Sequence, residues 1–293
     1  MSAATLRTVA GAVLAVTILA AGWGLLPEIA SRVAPVLTYY PAGLSGSAAA
    51  PAAHGFPRGE QVRITAADGP TLHAWWIPAR PHGSSGESRG AVLYFHGNAG
   101  HLAGRAEIAR RWADRGLDVL LFDYRGYGLS EGSPSEEGLY ADARAAYRHL
   151  RREREVSPEG VLLHGHSLGA AVAVELASER PAAGLIVSAA FASLPSLASR
   201  LYGWLPDRAF RGWSRNRFDS ESRIREVDAP VLAVAGGRDE IVAPAEVRRL
   251  YEAAAEPKRW VEVSGARHND LLDRSAFWRA AEEFAEGALA TTR

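Results

Sequence analysis

The chain has 293 residues, and its 33 lysine plus arginine residues balance 33 aspartate plus glutamate residues. Without a basic or acidic excess, no global field points to nucleic acid or to an acidic partner. The chain has no cysteine, which excludes disulfides, thiolate catalysis and lipid attachment through cysteine. One domain of about 250 residues is long enough to bury a substantial core.

An uncharged segment, residues 9–26, lies near the N-terminus and is followed by Pro27 and Glu28. As a helix it would extend about 27 Å, just enough for the hydrocarbon core of a bilayer. We expect a single-pass membrane anchor with its flanks in residues 1–38, and the rest of the chain on the extracytoplasmic side. A cleaved signal peptide is the alternative, although no small-residue cleavage site follows the apolar run. Residues 43–55, rich in Gly, Ser, Ala and Pro, would tether the domain.

The following segments alternate between predicted strands and helices. Residues 61–65 and 71–77 alternate polar with apolar side chains around a turn at Asp68-Gly69, which predicts an antiparallel hairpin. Apolar runs then predict strands covered on both faces, at residues 91–95, 117–122, 161–163, 185–187, 231–235 and 260–263. One intervening helix begins at Ser133-Pro134-Ser135-Glu136, interpreted as a capping box. The pattern predicts an α/β fold, with a mostly parallel, doubly wound sheet and an N-terminal antiparallel hairpin.

The sequence Gly165-His166-Ser167-Leu168-Gly169 joins a predicted strand to a helix of small residues. A nucleophile elbow needs this pattern, because its sharp turn leaves no room for side chains two positions before or after the nucleophile. We therefore expect Ser167 to be a nucleophile and the N–H of Leu168 to help bind an oxyanion. A chance pentapeptide in a chain with 29 glycines is the alternative.

A serine nucleophile in this architecture needs an acid and then a base further along the chain. His268 is the only histidine after Ser167, which makes it the single candidate for the base. Asp239 follows the predicted strand at residues 231–235 and is the preferred acid. Glu240 is the alternative, and either residue could be a plain surface acid.

A second loop, His96-Gly97-Asn98-Ala99-Gly100, follows the predicted strand at residues 91–95. It can direct the backbone N–H of Asn98 to the same point as that of Leu168 and so complete an oxyanion hole. A phosphate cradle is the alternative for a glycine-rich loop, although no dinucleotide fingerprint or P-loop pattern is present.

The other histidines are not expected to take part in the chemistry. His166 is expected to pack or to form a hydrogen bond, and His164 to lie in the core. No histidine spacing resembles a zinc site, so we expect no metal and no other cofactor.

Five motifs together resemble the α/β-hydrolase superfamily: His96-Gly97-Asn98-Ala99-Gly100, Asp123-Tyr124-Arg125-Gly126-Tyr127-Gly128-Leu129-Ser130, Gly165-His166-Ser167-Leu168-Gly169, Gly237-Arg238-Asp239 and His268-Asn269-Asp270. With an N-terminal anchor, the first two look like the Bem-like, membrane-anchored serine hydrolases, relatives of protein depalmitoylases. The resemblance implies an α/β-hydrolase domain over residues 39–293, with a short lid at about residues 191–223. It gives residues 123–130 no catalytic role, and we interpret them as a tight loop at the edge of the sheet.

The predicted lid interleaves aromatic residues with arginines, and Leu201, Trp204 and Trp213 are candidates for an apolar acyl pocket. A small cap that only packs on the domain is the alternative. We predict a serine hydrolase that cleaves esters or thioesters of acyl or lipid-like substrates through an acyl-enzyme. The alternatives are an aminopeptidase-type peptidase, with Glu175 or Glu221 binding the substrate amine, and a membrane-tethered binding module without turnover.

Overall fold

The structure, a computed structural model, describes residues 39–44, 49–81, 88–201 and 216–290. The strands are β1 Tyr40–Pro41, β2 Glu60–Thr65, β3 Thr71–Ile77, β4 Ala91–Phe95, β5 Ala99–Gly100, β6 Asp118–Phe122, β7 Val161–His166, β8 Gly184–Ser188, β9 Val231–Gly236 and β10 Lys258–Val263. The α-helices are α1 Ala106–Ala113, α2 Glu136–Arg152, α3 Leu168–Glu179, α4 Leu194–Leu201, α5 Ser220–Arg223, α6 Pro244–Ala253 and α7 Ser275–Ala290.

The central sheet has eight strands in the order β10-β9-β8-β7-β4-β6-β3-β2. Strands β10 to β6 in this order are parallel, while β3 pairs antiparallel with both β6 and β2. Strand β1 pairs with β5 in a separate two-stranded sheet. The predicted fold class, with its mostly parallel sheet and N-terminal hairpin, is confirmed.

Alternate side chains of each parallel strand enter two different hydrophobic cores, as expected for a sheet covered on both faces. In β4, Leu93 belongs to the core that contains residues of α2, α3 and α6, whereas Val92 and Tyr94 belong to the core that contains residues of α1 and α7. Burial on both sides explains why these strands appear in the sequence as continuous apolar runs. It also leaves the loops at the carboxyl ends of the strands to carry polar side chains.

The start of α2 differs from the predicted capping box. The cap is Ser135, whose Oγ accepts a hydrogen bond from the N–H of Gly138 at 3.1 Å. Because the third helical position is Gly138, no glutamate returns the bond to the cap. Glu136, the residue assigned that role, instead accepts the backbone N–H groups of Arg217 and Phe218.

Part of the predicted tether belongs to the folded domain. The carbonyl oxygen of Ala49 accepts bonds from Gln61 Nε2 at 2.8 Å and Trp75 Nε1 at 2.7 Å. The 3₁₀ helix Pro51–His54 follows, and Phe56 behind it is buried. Residues 49–55 therefore pack on β2 and β3, and the tether prediction is wrong for them; residues 45–48 lie outside the described residues.

The prediction of a membrane anchor is corrected. Within the four described ranges, no helix is both long enough and apolar enough to span a bilayer. The apolar helix α3 has 12 residues, about 18 Å, against a hydrocarbon core of about 30 Å. The 17-residue helix α2 carries a charged face. Residues 9–26 lie outside the described residues, and we withdraw the transmembrane helix, the membrane as a partner and the extracytoplasmic location.

Candidate active site

Ser167 lies in the turn between β7 and α3, at the carboxyl end of a central strand. Its backbone φ of 54° and ψ of −120° are strained for a residue with a side chain, at a cost of about 1–3 kcal/mol. The flanking glycines are required by close approach. A Cβ on Gly165 would lie 2.5 Å from Ala170 Cα, and one on Gly169 would lie 2.1 Å from the carbonyl oxygen of Phe95. The turn therefore has the form of a nucleophile elbow.

The loops after β7, β9 and β10 bring Ser167, Asp239 and His268 together. His268 Nε2 lies 3.0 Å from Ser167 Oγ, and His268 Nδ1 lies 2.9 Å from Asp239 Oδ2. A carboxylate only accepts hydrogen bonds, so Nδ1 carries the proton of the neutral ring. Nε2 is then the acceptor for the Ser167 hydroxyl. This tautomer is the one in which an imidazole can take a proton from serine.

The other oxygen of Asp239 is held by the turn that follows β9. Asp239 Oδ1 accepts the backbone N–H groups of Ile241 at 2.9 Å and Val242 at 2.7 Å. These bonds fix the carboxylate and direct Oδ2 at His268. Glu240, the alternative acid, is exposed, so the structure brings Asp239 and not its neighbour to the histidine.

The loop after β4 lies directly beside the elbow, because β4 and β7 are neighbours in the sheet. A Cβ on Gly97 would lie 3.6 Å from Ser167 Cβ and 3.4 Å from His166 Cδ2. Asn98 follows Gly97 at this edge, and Leu168 is the first residue of α3. The two predicted oxyanion residues therefore stand on the two segments that adjoin Ser167.

Residues 123–130 support this loop, a role that the sequence did not reveal. The Tyr127 hydroxyl lies 3.0 Å from the carbonyl oxygen of Asn98 and 2.9 Å from its Oδ1. The Tyr124 hydroxyl donates to the carbonyl oxygen of His96 at 3.0 Å. Both tyrosines are fully buried, so the segment is a packed support for residues 96–98 and not only a turn at the edge of the sheet. The sequence signal that could have indicated this role is the presence of two tyrosines, whose hydroxyl groups need hydrogen-bond partners when buried, within a glycine-rich motif.

Residues 123–130 are also held in place by ion pairs. The Arg125 guanidinium contacts Asp142 Oδ1 and Asp68 Oδ2, both at 2.7 Å. These hydrogen bonds tie the segment to α2 and to the turn between β2 and β3. Burial disfavours the charge of Arg125, but the hydrogen bonds to Asp68 and Asp142 outweigh it and raise the pKa of Arg125, which stays a cation.

Three histidines near the site, the buried His96 and His164 and the partly buried His166, are neutral at physiological pH. Burial lowers the pKa of His96 to about 4 and that of His164 to about 3. Burial, followed by the nearby His268, lowers the pKa of His166 well below its usual value. As expected, His164 lies in the core, where Trp112 Nε1 donates to its Nδ1 at 3.1 Å.

The described part of the predicted lid begins with α4. Glu246 on α6 accepts the N–H of Ala192 at 3.0 Å and the hydroxyl of Ser196 at 2.8 Å, which fixes α4 on the domain. Leu201, at the end of α4, is exposed. Trp204 and Trp213 lie outside the described residues. The lining of an acyl pocket by these three residues stays a prediction.

Comparison with known proteins places this geometry in a family. Residues 86–226 match the family model described as serine aminopeptidase, S33. The chain is 46% identical over 230 residues to the uncharacterized protein Rv2307c of Mycobacterium tuberculosis, covering 78% of this chain and 79% of that protein. It is 33% identical over 248 residues to the alpha/beta hydrolase domain-containing protein WAV2 of Arabidopsis thaliana, covering 78% of each.

A solved structure agrees at the level of the fold. The esterase Pf2001 of Pyrococcus furiosus superposes with a TM-score of 0.67 at 21% identity, over 86% of this chain and 98% of that one. A parallel sheet with a serine elbow, a downstream acid and a final histidine defines the class. The chain belongs to the α/β-hydrolase superfamily.

Proposed function

We propose that the chain is a serine hydrolase that cleaves carboxylic ester or thioester bonds through an acyl-enzyme intermediate. One observation carries the proposal: an unbroken hydrogen-bonded path from Ser167 Oγ to His268 at 3.0 Å and from His268 to Asp239 at 2.9 Å. The nucleophile of such a path must be exposed to substrate while its partners are held. Ser167 is partly exposed, whereas Asp239 and His268 are buried.

In the acylation step, Ser167 Oγ attacks the carbonyl carbon of the substrate and His268 Nε2 takes the hydroxyl proton. Asp239 stabilises the resulting imidazolium through Nδ1–H. The tetrahedral intermediate then collapses, the bond to the alcohol or thiol breaks, and the leaving group takes the proton from His268. The products of this step are an ester on Ser167 and the free alcohol or thiol.

In the deacylation step, water attacks the ester on Ser167 and His268 again takes a proton. Collapse of the second intermediate releases the carboxylic acid and returns the proton to Ser167 Oγ. In both steps we assign the N–H groups of Asn98 and Leu168 to the oxyanion. Two observations support this assignment. Gly97 lies close to Ser167, and the Tyr127 hydroxyl forms hydrogen bonds with Asn98 that fix its position.

The proposal also specifies the class of substrate. The motifs at residues 96–100 and 123–130, which resemble those of Bem-like serine hydrolases, favour acyl groups as substrates. Leu194 and Leu197 of α4 pack against the core but stay partly exposed, and so contribute apolar side chains on the lid. A pocket that adds Leu201, Trp204 and Trp213 would accept an acyl chain. Activity should therefore rise from acetyl to medium-chain esters.

The two alternatives have less support. A peptidase that recognises a free amine needs an unneutralised acid near the nucleophile, but Glu175 pairs with Arg223 at 2.9 Å and Glu221 pairs with Arg249. A binding module without turnover has no need for Asp239 Oδ1 to be held by two backbone N–H groups so that Oδ2 meets His268.

Hydrolysis of nitrophenyl esters tests the proposal. Ser167→Ala should reduce kcat by about 10⁶ while the melting temperature changes little, because the hydroxyl does not support the core. Ser178→Ala is the matched control, since Ser178 lies on α3, the helix that follows Ser167, and its hydroxyl donates to the nearby carbonyl oxygen of Glu175. Equal turnover by both variants, or turnover of an aminoacyl anilide in preference to every ester, would overturn the proposal.

A further inference from the structure

We propose that His166 is a positioning residue for His268, whose ring it holds by packing against one of its faces. The proposal rests on the proposed function, because His268 is the base of that reaction. It concerns a residue of the elbow for which sequence analysis predicted no more than packing or a hydrogen bond.

The contact is direct. The ring centroids of His166 and His268 lie 5.2 Å apart, with the planes tilted by 41°. Gly97 also adjoins His166, because a Cβ added to Gly97 would lie 3.4 Å from His166 Cδ2. His166 therefore lies within contact range of both the loop that carries Gly97 and the base His268.

This contact restrains the tilt of the His268 ring, which the two hydrogen bonds of His268 do not restrain. Asp239 holds Nδ1 and Ser167 meets Nε2. Both bonds lie near the plane of the ring, so the ring can still tilt about the line that joins its two nitrogens. A second ring against the face of His268 limits that tilt and keeps the Nε2 lone pair directed at Ser167 Oγ.

His166 is itself fixed by β8. Its Nδ1 lies 3.1 Å from Ser188 Oγ, and Ser188 donates its own proton to the carbonyl oxygen of Gly165 at 3.1 Å. Ser188 Oγ is thus the acceptor, and His166 carries its proton on Nδ1. The hydrogen bond to Ser188 therefore fixes the orientation of the His166 ring.

A positioning ring beside the base must also stay uncharged, because His268 becomes a cation in both reaction steps. The titratable groups that act on His166 are His268, Arg105 and His164, and each of them disfavours a positive charge there. Burial acts in the same direction and lowers its pKa furthest. His166 therefore presents a neutral ring to the imidazolium, without like-charge repulsion.

Two substitutions separate the ring from its hydrogen bond. His166→Phe keeps a ring against His268 but loses the bond to Ser188, whereas His166→Asn keeps a donor for Ser188 but has no ring. With a nitrophenyl ester, we expect the Asn variant to lose between about 10- and 100-fold in kcat, with KM unchanged within about twofold. The Phe variant should stay within about threefold of the unmodified protein.

The outcomes are distinct. An Asn variant as active as the unmodified protein, or a Phe variant as impaired as the Asn variant, would refute the role of the ring. If the unmodified protein neither hydrolyses esters nor reacts with a fluorophosphonate at Ser167, the proposed function fails and takes this inference with it. If a variant does not fold, the proposal is tested on the unmodified protein with labelled histidines, by measuring nuclear Overhauser effects between the rings of His166 and His268. Their absence would overturn the proposal.

Discussion

Asp239→Asn is the sharpest perturbation of the proposed mechanism, because it changes one atom and the structure shows how that atom would be placed. The oxygen of the new amide would remain with the N–H groups of Ile241 and Val242, since an NH₂ group cannot accept their bonds. The amide nitrogen would then face His268 Nδ1 as a donor. His268 would have to move its proton to Nε2, and Nε2 could no longer take the proton of Ser167.

The magnitude follows from the loss of the working tautomer. The same change in a Ser-His-Asp triad lowers kcat by about 10⁴, which corresponds to about 5 kcal/mol of transition-state stabilisation. The cost to folding should be small, since the backbone bonds to the side-chain oxygen survive. Ground-state binding does not use Asp239, so KM should change far less than kcat.

The assay is the hydrolysis of a nitrophenyl ester by Asp239→Asn and by Glu240→Gln, with melting temperatures for both. Glu240→Gln is the matched control, because it makes the same chemical change at the next position, on an exposed side chain. It should retain nearly full activity. An Asn variant within tenfold of the unmodified protein, or a greater loss in Glu240→Gln, would show that Asp239 does not orient the base.

Two further changes test the surroundings of the site. Tyr127→Phe removes the hydroxyl that holds Asn98 and should lower kcat by about tenfold through a displaced oxyanion N–H. Tyr147→Phe, which removes a hydroxyl that donates to the Pro181 carbonyl oxygen, should leave kcat unchanged. Equal losses in the two variants would refute the supporting role of Tyr127. His164→Asn tests acid stability: the folded-state pKa of His164 is lowered to about 3, so the stability it contributes is present above its unfolded value and is lost as pH falls from about 6.5. Because Asn binds no proton but can still accept from Trp112, the variant should lose about 2 kcal/mol less than the unmodified protein between pH 6.5 and 5, at about 1.4 kcal/mol per pH unit. Urea unfolding at the two pH values measures this difference, and equal losses would contradict it.

The fold could be predicted because its signals are local and redundant. Strands buried on both faces leave continuous apolar runs, and the hairpin leaves alternation around Asp68-Gly69. The small residues around Ser167 are required by contacts within the turn itself and with the adjacent strand, so they too leave a visible pattern. The order of nucleophile, acid and base then restricted the base to His268.

What the sequence could not provide are contacts made across the fold. Tyr127 meets Asn98 from 29 residues away in the chain. His166, at the end of the central strand β7, meets His268, which follows the edge strand β10. Such pairs produce no characteristic residue spacing that could be recognised in a single sequence. The choice between Asp239 and Glu240 likewise depends on the direction of a side chain at a turn, which neighbouring acids share in sequence but not in space.

The incorrect predictions have physical causes of the same kind. Residues 49–55 have the composition of a linker, yet the carbonyl oxygen of Ala49 meets two donors from the sheet. The segment from Ser133 to Glu136 matches a capping box, yet Glu136 binds the backbone of residues 217 and 218 instead. Composition and short motifs indicate which local structures a segment can adopt. Hydrogen bonds to distant parts of the fold determine which of these structures it does adopt.

The central claim, that Ser167 is a nucleophile activated by His268, is tested most directly by mass spectrometry after fluorophosphonate labelling. We expect one adduct per chain on the peptide that contains Ser167, none in Ser167→Ala, and a labelling rate reduced by at least about 10³-fold in His268→Ala. An adduct on another residue, or unchanged labelling of Ser167 in the His268→Ala variant, would contradict it.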